Sequence, residues 1–314
     1  MDLPQYPDVE AAYERIKHLV HHTPVLTSQS IDKITGGTLF FKCENFQKVG
    51  AFKFRGACNA VLSLPGEVAA RGVATHSSGN HAAALALAAK IEGLKAFIVM
   101  PENAPEIKKR AVAGYGAEIT FCRPTLQARE EMLRNVLNKT GATEIHPYND
   151  FQVISGQGTV ARELIMDCGF FDQILVPVGG GGLMSGTAIA SRHLSPACKV
   201  IACEPAGADD AWRSFRQKKL IPSENPKTIA DGLLTSLGKR PFAIMLKEVD
   251  HLVTVPEKKI IEAMRMIWER MKIIVEPSSA VPLAAILDHK IDVKGKKTGI
   301  ILSGGNVDLD HLPF

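Results

Sequence analysis

The sequence predicts an α/β fold of two open, twisted, mainly parallel sheets with helices on both faces. Three observations predict it. Short β-rich runs alternate with helical patterns along most of the 314 residues, which implies crossover units. The runs are nearly continuous apolar stretches, as expected of strands covered on both faces. The beat breaks near HPYNDFQVISGQG (146–158), where polar residues and glycines replace it. That break reads as a lobe junction. It makes residues 66–148 a small lobe inserted into a large one built from 1–65 and 149–314.

In chain order the strand runs are TLFFKCE (38–44), GVATHSS (72–78), KAFIVMP (95–101), AEITFC (117–122), DQILVPV (172–178), KVIACEP (199–205), HLVTV (251–255) and TGIILSGG (298–305). Helical patterns rich in Ala, Leu, Lys and Glu separate them, among them HAAALALAAKIEG, APEIKKRAVAGYG, LQAREEMLRNVLNKTG and PEKKIIEAMRMIWERMK.

Composition narrows the function classes. Apolar residues are 46% and charged residues 22%, ordinary for a soluble globular protein. A net charge of +4 without a basic run gives no sign of a nucleic-acid partner. No segment has the apolar length of a membrane span, and the acidic start MDLPQYPDVE is unlike a signal peptide. Cys43, Cys58, Cys122, Cys168, Cys198 and Cys203 form no CxxC pair. The expectation is a cytoplasmic protein with reduced, mostly buried thiols.

Several short stretches carry chemistry. In GAFKFRGA (50–57), Lys53 stands between Phe52 and Phe54 with Arg55 behind it. Aromatic surroundings and a second cation penalise the charged amine, and a neutral amine is a nucleophile. Alone, the octapeptide fits a surface lysine whose stem covers two rings better. In VPVGGGGLMSG (176–186) an apolar strand runs into four glycines and then a helical pattern. Their N–H groups can converge on a phosphate at a helix N-terminus. The dipole alone contributes only ~0.3–1 kcal/mol, so the N–H hydrogen bonds matter more. The dinucleotide pattern GxGxxG fails at Met184 and Ser185, and GxxxxGK[ST] is absent. A monophosphate that pairs with a reactive lysine is pyridoxal 5′-phosphate, whose aldehyde condenses with the amine. That links the glycines to Lys53.

Three further stretches lie at strand ends. THSSGNHAAALALAAK (75–90) has Ser78 or Asn80 as a helix cap, and the same groups can receive a carboxylate. ILSGGN (301–306) delivers Ser303, either to a ring nitrogen or to a turn. CEPAGADDAW (203–212) crowds Glu204, Asp209 and Asp210, a set suited to Mg²⁺, Ca²⁺ or Mn²⁺. On these residues alone, capping of the next helix by Asp209 or Asp210 is the better reading.

From HTPVLTS (22–28) to SGGNVDL (303–309) the chain resembles the fold-type II pyridoxal-phosphate enzymes, specifically the serine racemase and serine/threonine dehydratase family. FQKVGAFKFRGA, HSSGNH, ISGQGT, VPVGGGG, TIADG, EPSSA and LSGGN carry the resemblance. It implies a tryptophan synthase β-like fold with the cofactor in the cleft between the lobes. It also implies that Lys53 holds the cofactor covalently, Phe52 lies against its ring, and Gly179, Gly180, Gly181, Gly182 and Leu183 hold its phosphate. Asn80 would meet the ring's phenolic oxygen, Gly232 would lie near the cofactor, and Ser303 would face the pyridine nitrogen. A neutral serine there favours elimination or reprotonation over transamination.

Within the family, serine racemases and hydroxyaspartate dehydratases are most similar. The resemblance makes Ser78 the second acid/base, opposite Lys53, and lines the substrate pocket with Ser77, Ser78, His81, Arg129 and Thr235. Glu204, the Ala208 carbonyl and Asp210 match a divalent-cation site, which overrides the helix-cap reading. Departures are Ala51, where many relatives have Ser, and Tyr148, where some animal racemases have Asn. Val49 and Ala83 replace polar residues expected at the ATP site of animal racemases, which argues against ATP as an activator. The expectation is a homodimeric serine racemase that also deaminates β-hydroxy amino acids. Alternatives are a threo-3-hydroxyaspartate or threonine dehydratase without racemisation, a β-replacement enzyme, and a non-catalytic nucleotide- or amino-acid-binding regulator.

Overall fold

A computed structural model describes residues 1–314 apart from Ser78, Pro105 and the side chains of Ile107 and Leu126. Its strands are β1 (Val25–Leu26), β2 (Thr38–Cys43), β3 (Val73–His76), β4 (Ala96–Pro101), β5 (Glu118–Cys122), β6 (Thr143–Glu144), β7 (Gln173–Pro177), β8 (Lys199–Pro205), β9 (His251–Val255) and β10 (Lys297–Leu302). A six-stranded sheet has the order β1-β2-β10-β7-β8-β9, parallel except for the β1–β2 pair. A four-stranded parallel sheet has the order β5-β4-β3-β6. β10 lies inside the larger sheet, where Thr298 pairs with Leu39 of β2 on one side and Gln173 of β7 on the other. All eight runs read from the sequence form strands. β1 and β6 escaped that reading because two residues carry no periodicity.

Alternation along the strands feeds two cores. Ile300 and Leu302 face a cluster with Leu39, Phe41 and Ile201, while Ile301 faces the opposite cluster with Ile174 and Val176. The helix Pro277–Leu287 closes the first through Val281 and Leu283, and the helix Gly182–Leu194 closes the second through Met184 and Ala188. Each fully buried aliphatic side chain contributes ~1.5–3 kcal/mol, which offsets the order that the helices impose.

The polar stretch read as a junction is only partly a loop. Asp150 accepts from the Val153 N–H at 2.9 Å and starts a helix, Phe151–Cys168, that runs straight through ISGQG. The glycines serve close packing there, not a turn. A Cβ on Gly156 would stand 2.7 Å from the Arg55 carbonyl oxygen and from the Gly56 Cα of the helix Lys53–Leu62. The two helices therefore meet backbone to backbone.

A buried ion cluster locks that contact. Arg55 donates to both oxygens of Glu44 at 2.8 Å and to both oxygens of Glu163 at 2.7 Å. Lys42 of β2 donates to Glu163 at 2.7 Å. Two cations balance two anions, and all four side chains are buried. Such a cluster gains little over an apolar core, but removal of one member strands the others at ~3–5 kcal/mol. Among the described residues no helix is long and apolar enough to cross a membrane, and no cysteine is paired in a disulfide.

Candidate active site

The functional segments gather where parallel strands end, as expected for open sheets. β3 leads to Ser77 and Asn80, β7 to the four glycines, β8 to the acidic loop and β10 to Ser303. Lys53 joins them because the segment before it is stitched to the end of β10. The Phe52 N–H donates to the Ser303 carbonyl at 3.0 Å, and Ala51 bridges Gly304.

Lys53 opens its helix half-buried, with Nζ 5.1 Å from the Phe52 ring centre and donating to the Pro147 carbonyl at 3.0 Å. Burial pushes its ammonium down to about 8, against the opposing pull of Glu276. A position in the first helical turn acts in the same direction. Arg55 has no part in this, contrary to the expectation of a second cation beside the amine. It turns away and is neutralised by Glu44 and Glu163.

The glycine loop shares a wall with the lysine. Tyr148, next to Pro147, lies so tightly over the loop that a Cβ on Gly180 would collide with its ring. A Cβ on Gly179 would stand 2.8 Å from the Leu233 Cα, and Gly181 takes the left-handed region at φ 88°. Leu183 is buried in the first turn of the helix Gly182–Leu194, so that helix points its N-terminus at the loop. The glycines are thus packed where side chains would collide, ahead of a helix N-terminus, the composition and setting of an anion-binding loop.

In the HSSGNH turn, Ser78 lies outside the described residues. The Ser77 hydroxyl accepts from the Gly79 N–H at 3.3 Å. Asn80 is not the helix cap. Gly79 holds that position, and the Asn80 amide nitrogen donates to both oxygens of Glu276, at 3.0 and 3.1 Å. His81 is buried, with one ring nitrogen 3.0 Å from the Ile145 carbonyl. Burial, with Lys53 nearby, lowers it to about 3, so it is neutral at physiological pH. Arg129 keeps a buried Nε without a partner, and Thr235 is half-buried. Among the described residues no hydrogen bond ties either one to the turn.

Ser303 is buried with its hydroxyl 3.1 Å from that of Ser279, which also donates to the Gly304 carbonyl at 2.6 Å. Glu276 is the residue that sequence reasoning missed. Burial and the nearby Asp231 push its carboxyl up to about 7. The EP pair marks it as a helix-start position, and nothing in the sequence says that its side chain turns inward. Gly232 donates its N–H to the Ser278 hydroxyl at 3.2 Å, beside this carboxylate. A cavity of about 560 Å³ opens next to Asn80, lined by Val49, Ala83, Lys108, Tyr115, Asp231 and Asn306.

In the acidic loop Glu204 itself accepts from the Ala211 and Trp212 N–H groups, at 3.0 and 2.8 Å, so it caps the helix Asp210–Gln217 from across the loop. Asp209 pairs with Arg213 at 2.8 Å and makes no cap. Asp210 is buried, with Oδ2 accepting from the Leu237 N–H at 2.8 Å and Oδ1 left without a partner. Burial raises Glu204 well above the usual carboxylate range, and Asp210 to about 6. Ala208 is buried between them in sequence. Among the described residues no three His, Cys, Asp or Glu side chains converge as a metal cluster.

The chain is similar in sequence and shape to known proteins. The family described as pyridoxal-phosphate dependent enzyme matches residues 16–304. A β-hydroxyaspartate dehydratase of Paracoccus denitrificans is 48% identical over 314 residues, all of both chains. A serine racemase of Arabidopsis thaliana is 52% identical over 309 residues, 97% of this chain and 93% of that one. The solved serine racemase of Dictyostelium discoideum superposes with a TM-score of 0.93 at 49% identity, covering 97% of this chain and 99% of that one.

Proposed function

The chain belongs to the pyridoxal-phosphate-dependent enzymes, and we propose that it is a serine racemase that also deaminates β-hydroxy amino acids. One observation carries the reading: Lys53 hydrogen-bonds Pro147, and Tyr148 beside it closes on the glycine loop, so one short segment holds the amine and the loop together. The residues present fit the cofactor. The loop has no room for side chains, and the amine is already shifted toward its neutral form.

Pyridoxal phosphate, when bound, withdraws electrons from the substrate's α-carbon and makes its proton acidic. Lys53 holds the cofactor and takes that proton on its own face, with a pKa of about 8 close to the working pH. Gly179, Gly180, Gly181, Gly182 and Leu183 bind the phosphate. Phe52 and Gly232 flank the ring, Asn80 serves its phenolic oxygen, and Ser303 offers the ring nitrogen a neutral hydroxyl. The substrate carboxylate docks on Ser77 and the 77–81 turn, with His81, Arg129 and Thr235 around it. Ser78 returns a proton from the opposite face, which inverts the amino acid. Loss of a β-hydroxyl instead gives, after hydrolysis, a keto acid and ammonia.

Glu204, Asp210 and the Ala208 carbonyl would hold Mg²⁺, Mn²⁺ or Ca²⁺. The unpartnered buried Oδ1 of Asp210 suits a hard cation, which would let both raised carboxyls ionise. Its role there is structural, because Asp210 anchors Leu237 and a Cβ on Gly181 would stand 2.7 Å from the Leu237 side chain. The homodimer and the cytoplasmic compartment expected from the sequence remain part of this proposal, and sedimentation tests the first.

The test is to supply L-serine, D-serine, L-threonine and L-threo-3-hydroxyaspartate side by side and resolve keto acid from inverted amino acid. Inversion of serine together with ammonia release is expected. Ammonia release with no D-product makes the chain a dehydratase only, the activity in the name of the Paracoccus relative. Ser78→Ala should suppress inversion and spare elimination from L-serine, which needs only the Lys53 face. Wild-type inversion in that variant would refute the two-base scheme.

A further inference from the structure

Three groups, Val49, Asn306 and Glu276, fix the Asn80 amide without freedom to turn. The Asn306 amide nitrogen donates to the Val49 carbonyl at 2.8 Å, and since a carbonyl only accepts, that nitrogen must face it. The same nitrogen donates to the Asn80 Oδ1 at 2.9 Å. At the other end the Asn80 nitrogen meets Glu276 at 3.0 and 3.1 Å. Two oxygens of one carboxylate subtend a narrow angle, so both fall on a single N–H, and the second N–H diverges from them.

Glu276 is itself rigid. It precedes the helix Pro277–Leu287, its own N–H donates to the Gly304 carbonyl at 3.0 Å, and it is 3% exposed. Its Oε1 stands 2.9 Å from where a Cβ on Gly304 would be, and 3.9 Å from one on Gly232. The carboxylate thus fills a slot between the Gly232 segment and the strand end that carries Ser303. The charged groups around it are Asp231 from the 3₁₀ turn Asp231–Leu233, Lys108 from the helix Glu106–Gly114 and Lys53 from its own helix.

We propose that Glu276 is a positioning residue: with Asn306 it dictates which way the Asn80 amide faces, and so directs a donor toward the cofactor's phenolic oxygen. The inference rests on the proposed function and goes beyond it, since Glu276 has no role in that scheme. Its physical basis is the cost of the wrong orientation. Above pH 7, where the Glu276 carboxyl has lost its proton, a turned amide would bring its own oxygen against an anionic oxygen, two acceptors with no proton between them. An acceptor at Glu276 forbids the turn. Glutamine has the same shape but can donate as well as accept, so Glu276→Gln removes the compulsion at the nitrogen end of the amide and leaves Asn306 alone to set the orientation.

The test titrates pyridoxal 5′-phosphate into the full chain after the cofactor has been dialysed away, following the visible band of the bound form. Glu276→Gln should weaken binding about tenfold, the scale of one hydrogen bond to a charged group, and displace the band as Asn80→Ala does. Because Glu276 acts through Asn80, the double variant should bind no more weakly than Asn80→Ala alone. Wild-type affinity and band in Glu276→Gln, or losses that add in full, would overturn the proposal. Should Glu276→Gln fail to fold, Asn306→Ala at the exposed end of the same amide enters the same cycle, with the same two outcomes deciding it. An unmutated chain that takes up no pyridoxal phosphate refutes the proposed function itself, a result distinct from additive variants of a protein that does.

Discussion

An amine held at a pKa of about 8 instead of its usual 10.5 leaves a thermodynamic trace at Lys53. Between those values the unfolded chain binds the proton that the folded chain has lost, so stability rises with pH across that window and the full penalty applies below it. Lys53→Met should therefore melt higher than the unmutated protein at pH 7 when both lack cofactor, with the gap closing toward pH 10.5. Thermal melts across that range check it, and a constant gap would show that the shift is absent. The same variant should lose covalent cofactor and nearly all turnover, and borohydride reduction with peptide mapping reads which lysine is labelled. The aromatic setting of Lys53 alone favoured a surface lysine, and only its pairing with the glycine loop pointed inward; burial and not Arg55 lowers its pKa. Glu276 was not legible, because whether a helix-start carboxylate faces water or a cleft depends on segments 200 residues away such as Asn80, its partner at separation 196.

Glycine had two opposite meanings in the elements, and only one was readable. In VPVGGGG a strand precedes and a helix follows, so the four glycines read as a strand-to-helix loop, as they are. In ISGQG the same composition sits inside the helix Phe151–Cys168, where it lets that helix touch the helix Lys53–Leu62. Gly156→Ala should destabilise by ~1–3 kcal/mol, because its Cβ meets backbone that has no rotamer to yield. Gly114→Ala, with nothing within 4 Å of the new Cβ, should be neutral or slightly stabilising. Denaturant midpoints separate the two, and equal effects would mean that the interhelical contact is looser than described. The acidic loop gives a second test at this scale. Chelation should lower the melting temperature of the unmutated protein and leave that of Asp210→Ala where it is. Insensitivity of both would reduce Glu204 to a helix cap, as its hydrogen bonds to Ala211 and Trp212 already make it.

For the whole molecule, the alternation of strands and helices disclosed two parallel sheets, but not their strand orders, since spacing is silent about neighbours. We propose residues 66–148 as the small lobe and 1–65 with 149–314 as the large one; β3 to β6 fall inside the first range and the other strands inside the second. The order β1-β2-β10-β7-β8-β9 carries a consequence for how the molecule comes into being. The four-stranded sheet draws on one continuous stretch, so it can form as soon as its residues leave the ribosome. The larger sheet cannot. Its first strands wait with an open edge until β10, the last strand to be synthesised, slips between β2 and β7. The same event brings Ser303 and the bridge to Ala51, so Lys53 acquires its surroundings in the final step of assembly. Pulsed hydrogen exchange during refolding should find the amides of β3 and β4 protected well before those of β2, β7 and β10. Simultaneous protection would show that the two sheets fold as one unit. Until that insertion, a nascent chain carries two unpaired strand edges and a Lys53 without its final surroundings, and it is in that interval that a chaperone has the most to shield.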